Sequence, residues 1–402
     1  MIYNTVKKSI LFAIHYLELG GAERSLIGLL RALDYSKVGV DLFVYSHRGE
    51  LMKEIPSQVN LLPEIPEYAQ IERPMAAVLK DGYLRIVFAR LRAKWQFAHY
   101  RRGNHPKDGG AIFAYVAKNV TPLLPPINPE KEYDLAVSFL APHDIVLEKV
   151  RAKKKACWVH TDYTKVDVNP ELEFPVWSRY DHIAAVSDAV SDAFLTRFPS
   201  LRDKMLTIPN ILSPEWVRTQ ADAFCVDEEM PREPGVTRLL SIGRFTDAKN
   251  FDNVPDICRR IRERGVDVRW YLIGYGGDEV LIRQRIAEAG VEDSVRILGK
   301  KENPYPYLKA CDIYVQPSRY EGSPLTIREA IALGKPVIAT TFPTVQSAIR
   351  NHMDGIIVPL DNGGCAEGIT RFIQRDGVLF RPNDTCIDLE NNLSMNRFYY
   401  LS

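Results

Sequence analysis

Short apolar runs alternate with amphipathic stretches along the second half of the chain. Leu239 to Gly243 reads as a buried strand, and Phe251, Val254, Ile257, Cys258 and Ile261 then recur at helical spacing. Val268 to Gly274 is a further strand, and residues 278–289 read as a helix. Val295 to Gly299, Ile313 to Pro317, Pro336 to Thr340 and Gly355 to Pro359 supply four more strands. The first half repeats the alternation with longer insertions. Its strands are expected over 9–17, 38–46, 134–140, 156–161, 182–187 and 205–209, with an amphipathic helix over 22–33. Strands alternating with helices imply parallel sheets covered on both faces, so the fold class is α/β, doubly wound.

Length divides this pattern into parts. A chain of 402 residues exceeds one ordinary domain. The natural break is an acidic stretch near 212–236, punctuated by Pro214, Pro231, Pro234 and Gly235. The division is therefore residues 1–215, a linker over 216–236, and residues 237–384, with 385–402 expected to pack back on the first domain. Two such domains are expected to face each other across a cleft. In open parallel sheets a ligand sits beyond the carboxyl ends of the strands.

A net charge of +1 gives no general nucleic-acid footprint. Six cysteines without a C-x-x-C pair read as reduced, mostly buried thiols of a cytoplasmic protein. No apolar run is long enough to span a bilayer. Lys7-Lys8 before Ser9 to Ile14 imitates a secretion signal, but His15 and Glu18 interrupt the run. It reads better as a first buried strand entering the Gly20-Gly21 turn.

The segment Glu321-Gly322-Ser323-Pro324-Leu325-Thr326-Ile327-Arg328-Glu329 concentrates the candidate chemistry. Ser323 is a suitable N-cap, Pro324 suits the first helical position, and Gly334 suits the stop after Leu333. Glu321 then lies on the loop entering the helix and Glu329 inside it. The unpaired amides of a helix start lie between them and favour anions. A ligand with hydroxyls at both ends and a diphosphate between them fits, as in a nucleotide-sugar. Arg244 and Lys249 follow a strand end, where fixed cations suit a diphosphate. The plain alternative is a surface ion pair with Asp247 or Asp252. Gly20 and Gly21 allow close backbone approach to a ligand, or simply make a tight turn. His160, with Thr161 and Asp162, ends another strand; it is either a site residue or a structural histidine.

Taken together, these segments resemble the GT-B-fold glycosyltransferases of family 4, whose signature is Glu-x7-Glu. The ordered set comprises Leu19-Gly20-Gly21-Ala22-Glu23, Val186-Ser187-Asp188-Ala189, Ile208-Pro209-Asn210, Ile242-Gly243-Arg244-Phe245 with Lys249, Ile273-Gly274-Tyr275-Gly276, Val295 to Gly299, Asn303 to Lys309 and Gly334 to Thr340. The likeness is dense from about 237 to 360 and sparse from about 50 to 155. Residues 66–130 match nothing in the family.

The resemblance implies a retaining hexosyltransferase that uses a nucleotide diphosphate sugar such as a UDP-sugar. The acceptor would be a hydroxyl of a glycan or polyprenyl-lipid-linked glycan in bacterial capsular or exopolysaccharide synthesis. Glu321, His160, Arg244 and Lys249 would be catalytic. Gly20, Gly21, Gly274, Gly299, Lys300, Gly322, Ser323, Pro324, Leu325, Thr326 and Glu329 would join Arg244, Lys249 and Glu321 in binding donor, with Glu329 on the ribose. No Asp-x-Asp occurs, so metal-independent stabilisation by Arg and Lys is expected, with no cofactor. The family usually carries a bulky apolar residue where Ser323 stands here. A nucleotide-sugar epimerase and a non-catalytic nucleotide-sugar-binding paralogue that scaffolds a transferase stay open.

Residues 83–102 stand apart. Leu84, Val87, Phe88, Leu91, Trp95 and Ala98 form one helical stripe among Arg85, Arg90, Arg92, Lys94, Arg101 and Arg102. Such a helix suits an anionic membrane surface or ordinary packing on its own domain. The first reading places the protein at the inner face of the plasma membrane. The Lys153-Lys154-Lys155 run reads as a solvated turn.

Overall fold

The computed structural model describes residues 7–104, 110–350, 353–375 and 385–402. Its contacts divide the chain into one unit of Met1–Ile211 with Asn392–Ser402, and a second of Leu212–Asn391.

The first unit holds β1 (Lys8–Ile14), β2 (Val38–Val44), β3 (Asn60–Leu61), β4 (Tyr133–Ser138), β5 (Ala152–Val159), β6 (His182–Ala185) and β7 (Met205–Thr207). They form one parallel sheet in the order β3-β2-β1-β4-β5-β6-β7. The signal-like run is thus a central strand, paired with β2 and β4. The Lys153-Lys154-Lys155 run is not a turn. It lies in β5, whose first residues pair with β4 but run past β6, which joins only at Ala156. That open edge lets Lys153 reach the Asp134 carboxylate at 2.7 Å. Phe398 in the helix Thr385–Tyr400 and Leu401 just after it are fully buried in this core, and the Phe398 ring stacks on Phe12.

The second unit holds β8 (Thr237–Ile242), β9 (Val268–Ile273), β10 (Val295–Gly299), β11 (Ile313–Gln316), β12 (Val337–Thr340) and β13 (Gly355–Val358), parallel throughout in the order β10-β9-β8-β11-β12-β13. Side chains alternate between faces along a strand, yet every residue of Leu239–Ile242 is buried. The reason is a helical layer on each side. Leu240, Ile242, Tyr271 and Ile273 enter one core, while Leu239, Trp270 and Leu272 enter the other. The stretch read as a linker carries the helix Pro214–Ala221, capped by Ser213 Oγ on the Trp216 amide. Val217, Ala221, Val226 and Met230 are buried in the second unit's core.

Cys157, Cys258, Cys311 and Cys365 are buried free thiols and Cys225 is an exposed one; the Cys386 side chain lies outside the described residues. Burial pushes the thiols of Cys258, Cys311 and Cys365 up to about 12, so they stay protonated. Among the described residues no helix is long and apolar enough to cross a membrane.

Candidate functional site

In the second sheet the strand order reverses between β8 and β11, which pair through Leu239 with Ile313 and Leu240 with Tyr314. Such a switch point opens a crevice beyond the strand ends. Arg244 and Lys249 follow β8 there, and Glu321 follows β11. Asn250, buried in the left-handed region at φ 59°, makes the corner after Lys249, and its side-chain amide donates to the Pro317 carbonyl at 2.9 Å. That bond ties the two loops together.

The Glu321 carboxylate is held asymmetrically. Its Oε1 accepts from Lys249 Nζ at 2.6 Å, Gln316 Nε2 at 2.7 Å and Ser318 Oγ at 2.5 Å. Its Oε2 accepts no hydrogen bond among the described residues. Three donors on one oxygen fix the carboxylate plane and leave the other oxygen as a positioned acceptor. Behind it lies a buried network. Gln316 takes hydrogen bonds on Oε1 from the hydroxyls of Tyr314 and Thr326, and its amide also donates to Ser318. Gln316 and Ser318 were not singled out from the sequence. The signal was there, as two polar residues closing an apolar strand.

The surface ion pair weighed for Arg244 and Lys249 is absent. Arg319 takes Asp252 instead, with both guanidinium nitrogens on the carboxylate at 3.0 and 2.8 Å. Lys249 is left for Glu321, and the exposed Arg244 guanidinium has no partner among the described residues. A Cβ on Gly243 would sit 3.1 Å from Lys249 Cε, so the lysine stem runs across this glycine.

The helix after Glu321 spans Leu325–Ala332. Pro324, not Ser323, occupies its cap position and makes no side-chain cap bond. Pro324 is extended at ψ 97°, so the chain turns helical one residue later than capping preference predicts. Gly322 and Ser323 remain on the entering loop, and Thr344 Oγ1 donates to the Glu321 carbonyl at 2.9 Å. Leu325 and Thr326 open the helix, whose first amides lack helical acceptors. Glu329 is only 1% exposed, and the Tyr305 hydroxyl donates to its Oε1 at 2.8 Å.

Gly274 follows β9 at φ 155°, and a Cβ there would lie 1.8 Å from the Gly243 carbonyl oxygen. The β8 and β9 ends can approach only because residue 274 has no side chain. Gly299 closes β10 at φ 74° and accepts the Gly274 amide at 2.9 Å. Lys300 next to it lies over the Tyr275 ring at 4.9 Å.

The sheet of the first unit reverses between β1 and β4. Gly20 caps the helix Gly21–Ala32, and its backbone is packed against a side chain from that same helix. A Cβ on Gly20 would lie 2.0 Å from Glu23 Oε2, while Gly21 is open. The buried Glu23 carboxylate therefore stands at the helix start where an anion would bind. His160 Nε2 lies 3.0 Å from the Phe139 carbonyl oxygen. A carbonyl only accepts, so Nε2 carries the proton and Nδ1 is left as an acceptor. Burial pulls the His160 pKa down to about 4, so the ring is neutral. Asp162 does not orient His160; its carboxylate caps Thr164, accepting from the amide at 2.8 Å and the hydroxyl at 2.6 Å.

The helices Asp144–Lys149 and Pro170–Trp177, which follow β4 and β5, add groups the sequence does not flag. Desolvation raises Asp144 to about 6 and Glu173 to about 7, and lowers the buried His143 to about 3. Glu173 accepts from Trp177 Nε1 at 3.2 Å. No spacing rule marks these residues, because their shifts come from burial by distant elements.

Residues 227–382 match the family described as Glycosyl transferases group 1. The chain is 31% identical over 130 residues to the amylovoran biosynthesis glycosyltransferase AmsK of Erwinia amylovora, across 30% of this chain and 32% of that protein. It is 29% identical over 137 residues to the lipopolysaccharide core biosynthesis glycosyltransferase LpsE of Rhizobium meliloti (strain 1021), across 34% of this chain and 38% of that one. The matched stretches thus span about a third of these relatives' length. A mutant of S. aureus TarM, solved in complex with Fondaparinux, alpha-GlcNAc-glycerol and UDP, superposes with a TM-score of 0.66 at 12% identity, covering 98% of this chain and 99% of that one. Two parallel-sheet α/β domains with this likeness have the GT-B architecture.

Proposed function

We propose that this chain is a GT-B glycosyltransferase that moves a hexose-type sugar from a nucleotide diphosphate sugar to an acceptor hydroxyl. The half-anchored carboxylate of Glu321 at the switch point, inside the segment matching Glycosyl transferases group 1, carries this reading. In glycosyl transfer the bond from the anomeric carbon to the diphosphate oxygen breaks as the bond to the acceptor oxygen forms. The electron pair stays on the leaving diphosphate. Arg244 and Lys249 would supply the positive charge that stabilises it, with Lys249 already held by Glu321. The start of the helix Leu325–Ala332 adds amides of the same sign. Glu321 Oε2 accepts a hydroxyl of the donor sugar, while Oε1 stays committed to Lys249.

The finer reading is a retaining, metal-independent reaction on the same face of the sugar. The leaving phosphate oxygen takes the acceptor proton, and Arg and Lys supply the charge that a divalent ion would otherwise bring. His160 presents a neutral ring with an acceptor nitrogen suited to a hydroxyl. Uridine is the base, by analogy with the UDP in the TarM complex. The setting is bacterial polysaccharide assembly on a lipid-linked acceptor at the cytoplasmic face of the membrane, by analogy with the amylovoran and lipopolysaccharide-core relatives.

A thermal-shift panel of UDP-, GDP-, ADP- and TDP-sugars, with and without magnesium, tests the donor site. A ligand bound to the native state raises the midpoint by linkage. A shift with UDP-sugars that magnesium leaves unchanged supports the reading, and product analysis without acceptor separates transfer from epimerisation. No shift with any nucleotide-sugar sinks it.

A further inference from the structure

The helix Leu84–Asn104 buries one face and leaves the opposite face bare. Ile86, Val87, Ala93 and Phe97 turn into the protein. Leu84 at 52%, Phe88 at 68%, Leu91 at 45% and Trp95 at 70% exposure form a continuous stripe outward, at steps of four, three and four residues. A hundred degrees per residue places Arg85 and Arg92 along one border of this stripe and Lys94 and Arg101 along the other. The packed neighbouring helices Met75–Lys80 and Ile112–Val120 add exposed Leu79 and Phe113.

The charges on this helix have no counter-charge within it. Some other helices pair their surface arginines internally, as in Arg259 with Glu263, Arg283 with Glu279 and Arg371 with Glu367. The helix Leu84–Asn104 contains no acidic residue. Arg85, Arg92, Lys94, Arg101 and Arg102 are exposed and have no ion pair among the described residues. An apolar stripe bordered by unpaired cations is complementary to a surface that is apolar inside and anionic outside.

We infer that this face docks on a bilayer surface carrying anionic phospholipid headgroups. Phe88, Leu91 and Trp95 enter the boundary between headgroups and acyl chains, and the basic borders engage phosphates. Trp belongs at that depth, where its ring is apolar and its N–H stays wet. The helix lies in the interface plane, since its other face is committed to the core. This deepens the reading of a lipid-linked acceptor by giving the enzyme a place at that lipid's surface.

The experiment is co-sedimentation of the full chain with vesicles of phosphatidylcholine alone or mixed with phosphatidylglycerol. No donor or acceptor is present, so the result is independent of turnover. The expected result is salt-sensitive binding to the mixed vesicles only. Phe88→Ser with Trp95→Ser, and separately Arg85→Glu with Arg92→Glu, should each weaken it at least about tenfold. The melting midpoints should not fall, because all four side chains are exposed. Equal binding to neutral vesicles, or binding to neither, overturns the inference. So does a lipid-free dimer in sedimentation velocity that Phe88→Ser with Trp95→Ser dissociates, since a second copy would then cover the face.

Discussion

The Lys249 ammonium nitrogen lies 2.6 Å from Oε1 of Glu321, although the two residues are 72 positions apart. Their side chains are 21% and 10% exposed, so the pair is sheltered but reachable. Each holds the other in place, and each leaves a function unspent: further N–H donors on Lys249, and Oε2 on Glu321.

Glu321→Ala should remove turnover, by about 10²–10³-fold, while leaving nucleotide binding mostly intact. Its lost groups are the sugar acceptor and the anchor for Lys249, not the diphosphate site. Steady-state rates beside UDP titration calorimetry check this. Equal turnover by wild type and variant would sink the assignment.

Arg244→Ala should weaken UDP binding about tenfold, the scale of one charge-assisted hydrogen bond. Stability should change little, because the guanidinium has no partner among the described residues. Calorimetry at two salt concentrations reads the affinity, and thermal melting reads the fold.

Gly274→Ala should destabilise the second unit by about 3 kcal/mol or more, because its Cβ meets the Gly243 carbonyl at 1.8 Å at a backbone angle that favours glycine. Gly299→Ala meets open space and carries only the conformational cost, about 1–2 kcal/mol. Urea unfolding of the pair separates steric overlap from backbone preference.

Two desolvated, half-buried groups give opposite pH trends. Glu173 titrates at about 7 in the fold against an ordinary 4.5, so the folded state holds its proton more tightly. That contribution is full below pH 4.5 and is lost as pH rises through about 7. His160 titrates at about 4 against 6.5, so its contribution is full above pH 6.5 and is lost as pH falls through about 4. Glu173→Gln should weaken the first trend, leaving the part that Asp144 loses as pH rises through about 6, and keep the second, in urea midpoints measured from pH 4 to 8. Imidazole NMR should show His160 neutral at pH 5, protonated at Nε2; a midpoint near 6.5 would contradict its desolvation.

Tyr305→Phe should cost about 1–3 kcal/mol, since it removes a hydrogen bond from a carboxylate that is 1% exposed. If Glu329 instead binds ribose, the same variant should also change UDP affinity, which calorimetry reads directly.

The sequence by itself determined the strand-helix alternation, because burial on both sheet faces demands continuous apolar runs at Leu239–Ile242 and Val268–Ile273. It also marked Arg244, Lys249 and Glu321, because strand ends and helix starts carry local signals. It missed β3, only two residues long, and read Lys153 to Lys155 as a turn, because charge masks a strand whose edge is open. Only the tertiary structure decided partners. Lys249 could have met Asp247, Asp252 or Glu321. Arg319 occupies Asp252, and the corner at Asn250 brings the loops after β8 and β11 together. Likewise the stripe on Leu84–Asn104 is visible in the sequence, but periodicity assigns faces without saying which one the core takes. Packing gave the core Ile86, Ala93 and Phe97 and left Phe88 and Trp95 to solvent.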